Sequence, residues 1–257
     1  AWGLGYFGMP HILLRFMAIE DEEKLTLSRR VATTWVVISL AVAVLIGVVG
    51  LGMTAAGEFD LLEGSASETI IVQIADLLSK HGVIAAILAG LILAGILAST
   101  MSTADSQLLA ASSAVSSDLL GSILKDKETK KESMVADKIT LLLIAVVAMF
   151  IARDPNSSVF TIVSFAWAGF GAVFGPVVLL ALFWRRSNWQ GALAGMICGG
   201  SMVFIWKYGI SKLGGAWGIY ELLPAFMVAI AANIIVSLIT KAPSKEITDE
   251  FDLVNQK

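Results

Sequence analysis

The chain has 257 residues, of which 57% are hydrophobic and only 15% charged. A soluble domain is nearer half apolar with about a quarter charged, so an ordinary soluble domain is excluded and an all-α integral membrane protein is indicated. The formal net charge of −3 is neutral on the question of a nucleic-acid partner, but the lack of a basic stripe outside short loops argues against one, and the single cysteine, Cys198, rules out an intramolecular disulfide.

The first stretch, residues 1–18, is apolar but interrupted by Gly3, Gly5, Gly8 and Pro10. That pattern suits a broken helix better than a straight lipid-facing span. With neither an initiator Met nor a basic n-region and small-residue cleavage site, the stretch reads as beginning mid-protein, not as a signal peptide. Trp2 and Tyr6 are four residues apart and share a helical face, with Pro10 one turn on. Beside loose backbone, such a pair can enclose a small substrate, the rings forming apolar walls and the N–H and O–H groups orienting it. An aromatic belt at the outer membrane surface is the competing reading.

A spanning helix needs about 20 mainly apolar residues, and six later stretches are candidates: 31–53, 82–103 and onward, 139–152, 159–184, 190–206 and 217–240. If residues 18–30 are cytoplasmic, strict alternation places all but Lys80, Arg153, Lys207 and Lys212 of the 18 Lys and Arg residues inside. This agrees with the positive-inside rule. The expected organisation is a multi-pass membrane region over 1–240 and a charged, flexible cytoplasmic tail over 241–257.

The outer loop 54–80 is acidic, and its part 67–79 has Ile70, Ile71, Ile74, Leu77 and Leu78 at helical spacing. It is either a lid across the external mouth or a solvated loop helix. The segment after Gly82 is too long for the bilayer: 82–120 as one helix would cover roughly 58 Å against a hydrocarbon core of about 30 Å. Its Ser99, Ser102, Thr103, Ser106, Ser113 and Ser117 fall in one stripe, and 125–138 then reads as a solvated inner connection.

Sodium prefers several hard oxygen ligands, and adjacent hydroxyls at Ser102 and Thr103 with the main-chain carbonyl of Ser99 can supply three from one helix. Hydroxyls are also ordinary glue between membrane helices, so two readings of this stripe stand. Asp105 flanks it three residues on; it either attracts the cation or lies at the membrane boundary with no role. Within 159–184, Gly169, Gly171, Gly175 and Pro176 suit a hinge or plain small-residue packing. The last two spans, with Asn233, Ser237, Lys207, Tyr208 and Glu221, carry no assigned chemistry. No metal-ligand spacing, phosphate loop or nucleophile with a base points to an enzyme.

The blocks Ala1-Trp-Gly-Leu-Gly-Tyr-Phe-Gly-Met-Pro-His-Ile-Leu13, Met101-Ser-Thr-Ala-Asp-Ser-Gln-Leu-Leu109, Trp167-Ala-Gly-Phe-Gly-Ala-Val-Phe-Gly-Pro-Val-Val178 and Gly191-Ala-Leu-Ala-Gly-Met-Ile197 resemble the sodium/solute symporter family, in particular its bacterial sodium/proline symporters. The likeness runs through Tyr220-Glu-Leu-Leu-Pro224 to Lys241-Ala-Pro-Ser244. It implies the C-terminal half of a LeuT-type inverted-repeat transporter, with core helices six to ten and two peripheral helices, completed by an N-terminal half. It further implies that Ser102, Thr103 and the Ser99 carbonyl hold the coupling sodium ion, that Trp2 and Tyr6 contact L-proline, and that Pro10 shapes the segment below them. Some family members carry Ala in place of Ser99, which leaves the carbonyl ligand intact. The implied activity is sodium-coupled proline uptake across the bacterial cytoplasmic membrane by alternating access. A symporter for another amino acid or carboxylate, a membrane sensory module of the same fold and a non-transporting subunit are the competing readings.

Overall fold

The computed structural model describes residues 2–116, 130–153 and 158–255, and these form helices joined by short connections. In chain order the helices are α1 (Trp2–Gly5), α2 (Pro10–Met17), α3 (Lys24–Ala55), α4 (Ile70–Ser79), α5 (Val83–Ser113), α6 (Lys130–Ile151), α7 (Val159–Phe183), α8 (Trp189–Tyr208), α9 (Leu222–Ile239) and α10 (Lys245–Asn255). Five of the described helices, those beginning at Lys24, Val83, Val159, Trp189 and Leu222, are long and apolar enough to cross a bilayer. The sixth expected segment, 139–152, falls within α6 and the residue after it. The chain divides into two compact units, Ala1–Ala18 with Phe160–Lys257, and Ile19–Val159.

In the first unit, the opening segment is broken as its glycines and proline suggest: α1 gives way to a 3-10 turn over Tyr6–Gly8, and α2 starts at Pro10. Met9 is extended, and its carbonyl accepts from the Ile12 and Leu13 amides at 3.0 Å. Proline suits the first helical position because the missing N–H would have no helical partner there. The core of the unit is a cluster of Ala168, Ala172, Val203, Leu222, Ala225 and Phe226 from α7, α8 and α9.

Small residues let these helices approach. A Cβ on Gly171 would lie 2.7 Å from the Cα of Gly5, and one on Gly175 would lie 2.7 Å from the Phe226 ring, whereas Gly169 faces open space. Pro176 lies inside α7 without ending the helix. Helix contact therefore accounts for two of the three glycines.

The pairing of α8 with α9 is set by Gly191, Gly195 and Gly199 together with a polar knot. Asn188 caps α8 by accepting from the Gly191 amide at 2.8 Å, and its amide nitrogen donates to the Thr240 hydroxyl and the Lys241 carbonyl at 2.8 Å each. The Arg186 guanidinium donates to the Thr240 carbonyl at 2.8 Å, so the end of α9 is satisfied from the same loop. A Cβ on Gly191 would stand 1.9 Å from the Ser237 hydroxyl. Gly191→Ala is therefore expected to cost about 1–3 kcal/mol of stability by overpacking, read as a lower unfolding temperature of the complete protein in detergent.

Two expectations are corrected in this unit. The tail is not simply flexible: Ile247, Phe251 and Val254 recur at helical spacing in α10, and Arg185 clasps the Asp252 carboxylate with bonds of 2.8 and 2.7 Å. The span expected over 217–240 begins only at Leu222, because Gly214 and Gly215 take φ of 72° and 59° and hold the preceding residues in 3-10 turns.

In the second unit, α3 and α5 leave most of their apolar side chains exposed. Helix α4 follows a 3-10 turn over Gly64–Thr69 and packs on α3, where a Cβ on Gly50 would meet Ile70 at 2.4 Å. Glu68 takes the Ser158 hydroxyl at 2.6 Å and the Val159 amide at 3.0 Å, a carboxylate on the free amides of a helix start. Helix α5 continues to Ser116, 34 residues in all. The expected inner connection is also corrected: residues 130–138 belong to α6, in keeping with the helix-forming tendency of Lys and Glu. Its residues 125–129, and Ser117 of the hydroxyl stripe, lie outside the described residues.

Candidate functional site

The break after Gly5 places two aromatic side chains against α7. The Trp2 ring stacks on Trp167 at 5.4 Å between centroids and on Phe160 at 5.8 Å, and Tyr6 meets Trp167 edge-on at 5.0 Å and 83°. The Trp167 indole N–H donates to the main-chain carbonyl of Trp2 at 3.0 Å. A carbonyl beside a helix break needs a donor from outside the helix, and the indole provides it. The approach is so close that a Cβ on Gly5 would lie 1.9 Å from the Trp167 ring nitrogen and one on Gly8 would lie 2.3 Å from the Phe170 carbonyl oxygen. Glycine at both positions is a steric requirement.

Trp2 and Tyr6 remain partly open, at 36% and 51% exposure. They thus offer ring surface, and Tyr6 a hydroxyl, to a small molecule. Pro10 is exposed and makes no part of the aromatic cluster; its contribution is to restart the helix. Trp167 is the residue that reading along the chain missed. Its block drew notice for its glycines, and a partnership spanning 165 residues leaves no local signature.

A polar tie supports α7 near this cluster. The Tyr220 hydroxyl donates to the Ser164 carbonyl at 2.5 Å, one turn before Trp167. Burial, and secondarily the negative charge of neighbouring Glu221, push Tyr220 up to about 12, so its phenol stays protonated and donating beyond the pH at which a free tyrosine ionises. Glu221 lies 3.3 Å from the Lys207 ammonium.

In the second unit, Ser99, Ser102 and Thr103 all lie exposed on one stretch of α5. The Thr103 hydroxyl donates to the Ser99 carbonyl at 3.2 Å, and Ser106 donates to the Ser102 carbonyl at 3.1 Å. The first of these bonds brings the Thr103 and Ser99 oxygens together. Three hard oxygens on one helix suit a monovalent cation better than a thiol-seeking metal. Asp105 is exposed a turn further on.

A sequence model of the sodium:solute symporter family matches residues 1–199. The chain belongs to the sodium:solute symporter family. Among curated relatives, the osmoregulated proline transporter OpuE of Bacillus subtilis is 41% identical over 246 residues, 95% of this chain and 48% of that protein. The sodium/proline symporter of Haemophilus influenzae is 40% identical over 258 residues, 98% and 49% of the two chains, and that of Escherichia coli 39% over 253, 97% and 48%. The chain thus spans about half the length of the curated relatives it matches. No solved structure matches it.

Proposed function

We propose that the chain is the C-terminal half of a sodium-coupled L-proline symporter of the bacterial cytoplasmic membrane, with its C-terminus cytoplasmic and sodium as the coupling ion. The observation that carries this reading is the broken aromatic segment: a helix interrupted between Gly5 and Pro10, with two partly open aromatic faces held on a third. The names of the relatives supply the solute and the ion. The protein acts as a transporter, not as an enzyme.

Trp2 and Tyr6 contact the pyrrolidine ring, whose apolar faces match aromatic walls. Pro10 restarts the helix and so maintains the break between Gly5 and Pro10. Ser102, Thr103 and the Ser99 carbonyl of α5 supply ligands to sodium, the remainder coming from the N-terminal half. Sodium stabilises the arrangement in which the proline pocket is formed, and coupling between the two ligands is reciprocal. Alternating access then follows from rocking of one set of helices against another.

Uptake of labelled proline by the complete protein in proteoliposomes with a sodium gradient tests the reading. Trp2→Ala and Tyr6→Ala are each expected to weaken proline binding at saturating sodium by tenfold or more, about 1.4 kcal/mol. Unaltered proline affinity in both variants would retire the pocket, and stronger competition by another amino acid or a carboxylate than by unlabelled proline would reassign the solute.

A further inference from the structure

Hydroxyls on α5 are not confined to the proposed sodium ligands and the stripe they lie in. Two of the most buried polar side chains in the second unit are Ser112 and Ser116, at 2% and 5% exposure, on the last turns of the same long helix. Both converge on one residue of α6. The Ser112 hydroxyl donates to the Asp137 main-chain carbonyl at 2.7 Å, and the Ser116 hydroxyl donates to an oxygen of the Asp137 carboxylate. Thr140, one turn beyond Asp137, is also buried, at 8% exposure. By contrast, the hydroxyls of Thr100, Thr103 and Ser106 bond back to carbonyls of α5 itself. The cross-helix polar bonds of α5 are therefore concentrated at this end.

From this arrangement we infer that Asp137 is a positioning residue for sodium coupling: by holding Ser112 and Ser116, it fixes the inner end of α5 and thereby the placement of Ser102 and Thr103. The inference rests on the sodium assignment above. A continuous helix carries the position of one end to the other, and Ser112 stands ten residues, about 15 Å, along the axis from Ser102. Sodium ligands drawn from more than one helix are satisfied only when α5 lies at the right distance from the others. A looser α5 lowers the fraction of molecules competent to bind and so lowers the apparent sodium affinity by that fraction. The bond from Ser116 is charge-assisted, which makes it stronger than a neutral hydroxyl pair.

The experiment uses the complete transporter and measures the sodium concentration giving half-maximal proline uptake, together with proline affinity at saturating sodium. Asp137→Ala and Ser116→Ala are each expected to raise the half-saturating sodium three- to tenfold without changing proline affinity at saturating sodium. The double variant is expected to be no worse than the more affected single one. Asp137→Asn keeps an acceptor for the Ser116 hydroxyl and is expected to restore most of the sodium affinity. A merely structural role would lower the amount of protein in the membrane while leaving the half-saturating sodium unchanged, and that result overturns the proposal. Ser102→Ala with Thr103→Ala serves as the reference: if it leaves sodium affinity intact, the sodium site itself is wrongly placed. If only the Asp137 and Ser116 variants leave it intact, the positioning role alone falls.

Discussion

Replacing Ser102 and Thr103 together by alanine is expected to raise the half-saturating sodium concentration for proline uptake by the complete protein about 10- to 100-fold. A hydrogen bond or ligand contact to a charged group is worth about 1.5–3 kcal/mol, and tenfold corresponds to about 1.4 kcal/mol. Loss of two such oxygens therefore gives at least the lower figure even if the site partly relaxes or water replaces one ligand. The Ser99 carbonyl survives the double substitution, so binding is weakened and not abolished. It also loses the Thr103 hydroxyl that now donates to it at 3.2 Å, leaving it freer to turn toward the ion. Proline affinity at saturating sodium should be nearly unchanged. A sodium dependence equal to that of the parent would show that these hydroxyls serve helix packing instead.

Trp167→Ala is expected to weaken proline binding at saturating sodium by about 10- to 100-fold, more than the loss of either ring it supports. The indole stacks on Trp2, meets Tyr6 edge-on and donates to the Trp2 carbonyl. Its removal therefore loosens both walls and leaves a carbonyl unpaired beside the helix break. Each aromatic pair is worth about 0.5–1.5 kcal/mol beyond the area it buries, and the orphaned carbonyl adds about 1–3 kcal/mol. Trp167→Phe keeps the ring contacts and removes only the N–H, so an intermediate loss of roughly three- to tenfold is expected from that single bond. Isothermal or scintillation-proximity binding of proline to purified protein separates the two variants. Equal losses in both would assign the effect to the hydrogen bond, and no loss in either would remove Trp167 from the pocket.

The hydroxyls of α5 were legible in the sequence because they stand in a run of apolar residues, where each polar group must find a use. The same holds for the opening segment, whose three glycines and proline forecast a break that the structure places between Gly5 and Pro10. Pro176 carried the same kind of signal, yet α7 runs through it without interruption. Neighbouring groups and local adjustment can satisfy what a proline removes from a membrane helix. The tail was misjudged because its charge suggested solvent. Charge does not preclude an amphipathic helix when a partner such as Arg185 holds one of its carboxylates.

What the sequence determined by itself is what local physical chemistry carries: a membrane class from composition, helices from apolar runs of sufficient length, interruptions from residues that lack a side chain or an amide hydrogen, and membership of a symporter family from block-by-block likeness. What the tertiary structure decided are the pairings between residues far apart in the chain. Trp167 is joined to Trp2 across 165 residues, Arg185 to Asp252 across 67, and Ser112 to Asp137 across 25. Periodicity reports which face of a helix is polar but not which partner that face will meet. That choice follows from how the helices pack, and packing brings the ring of Trp167 on α7 to Trp2 and Tyr6 and the carboxylate of Asp137 on α6 to Ser116.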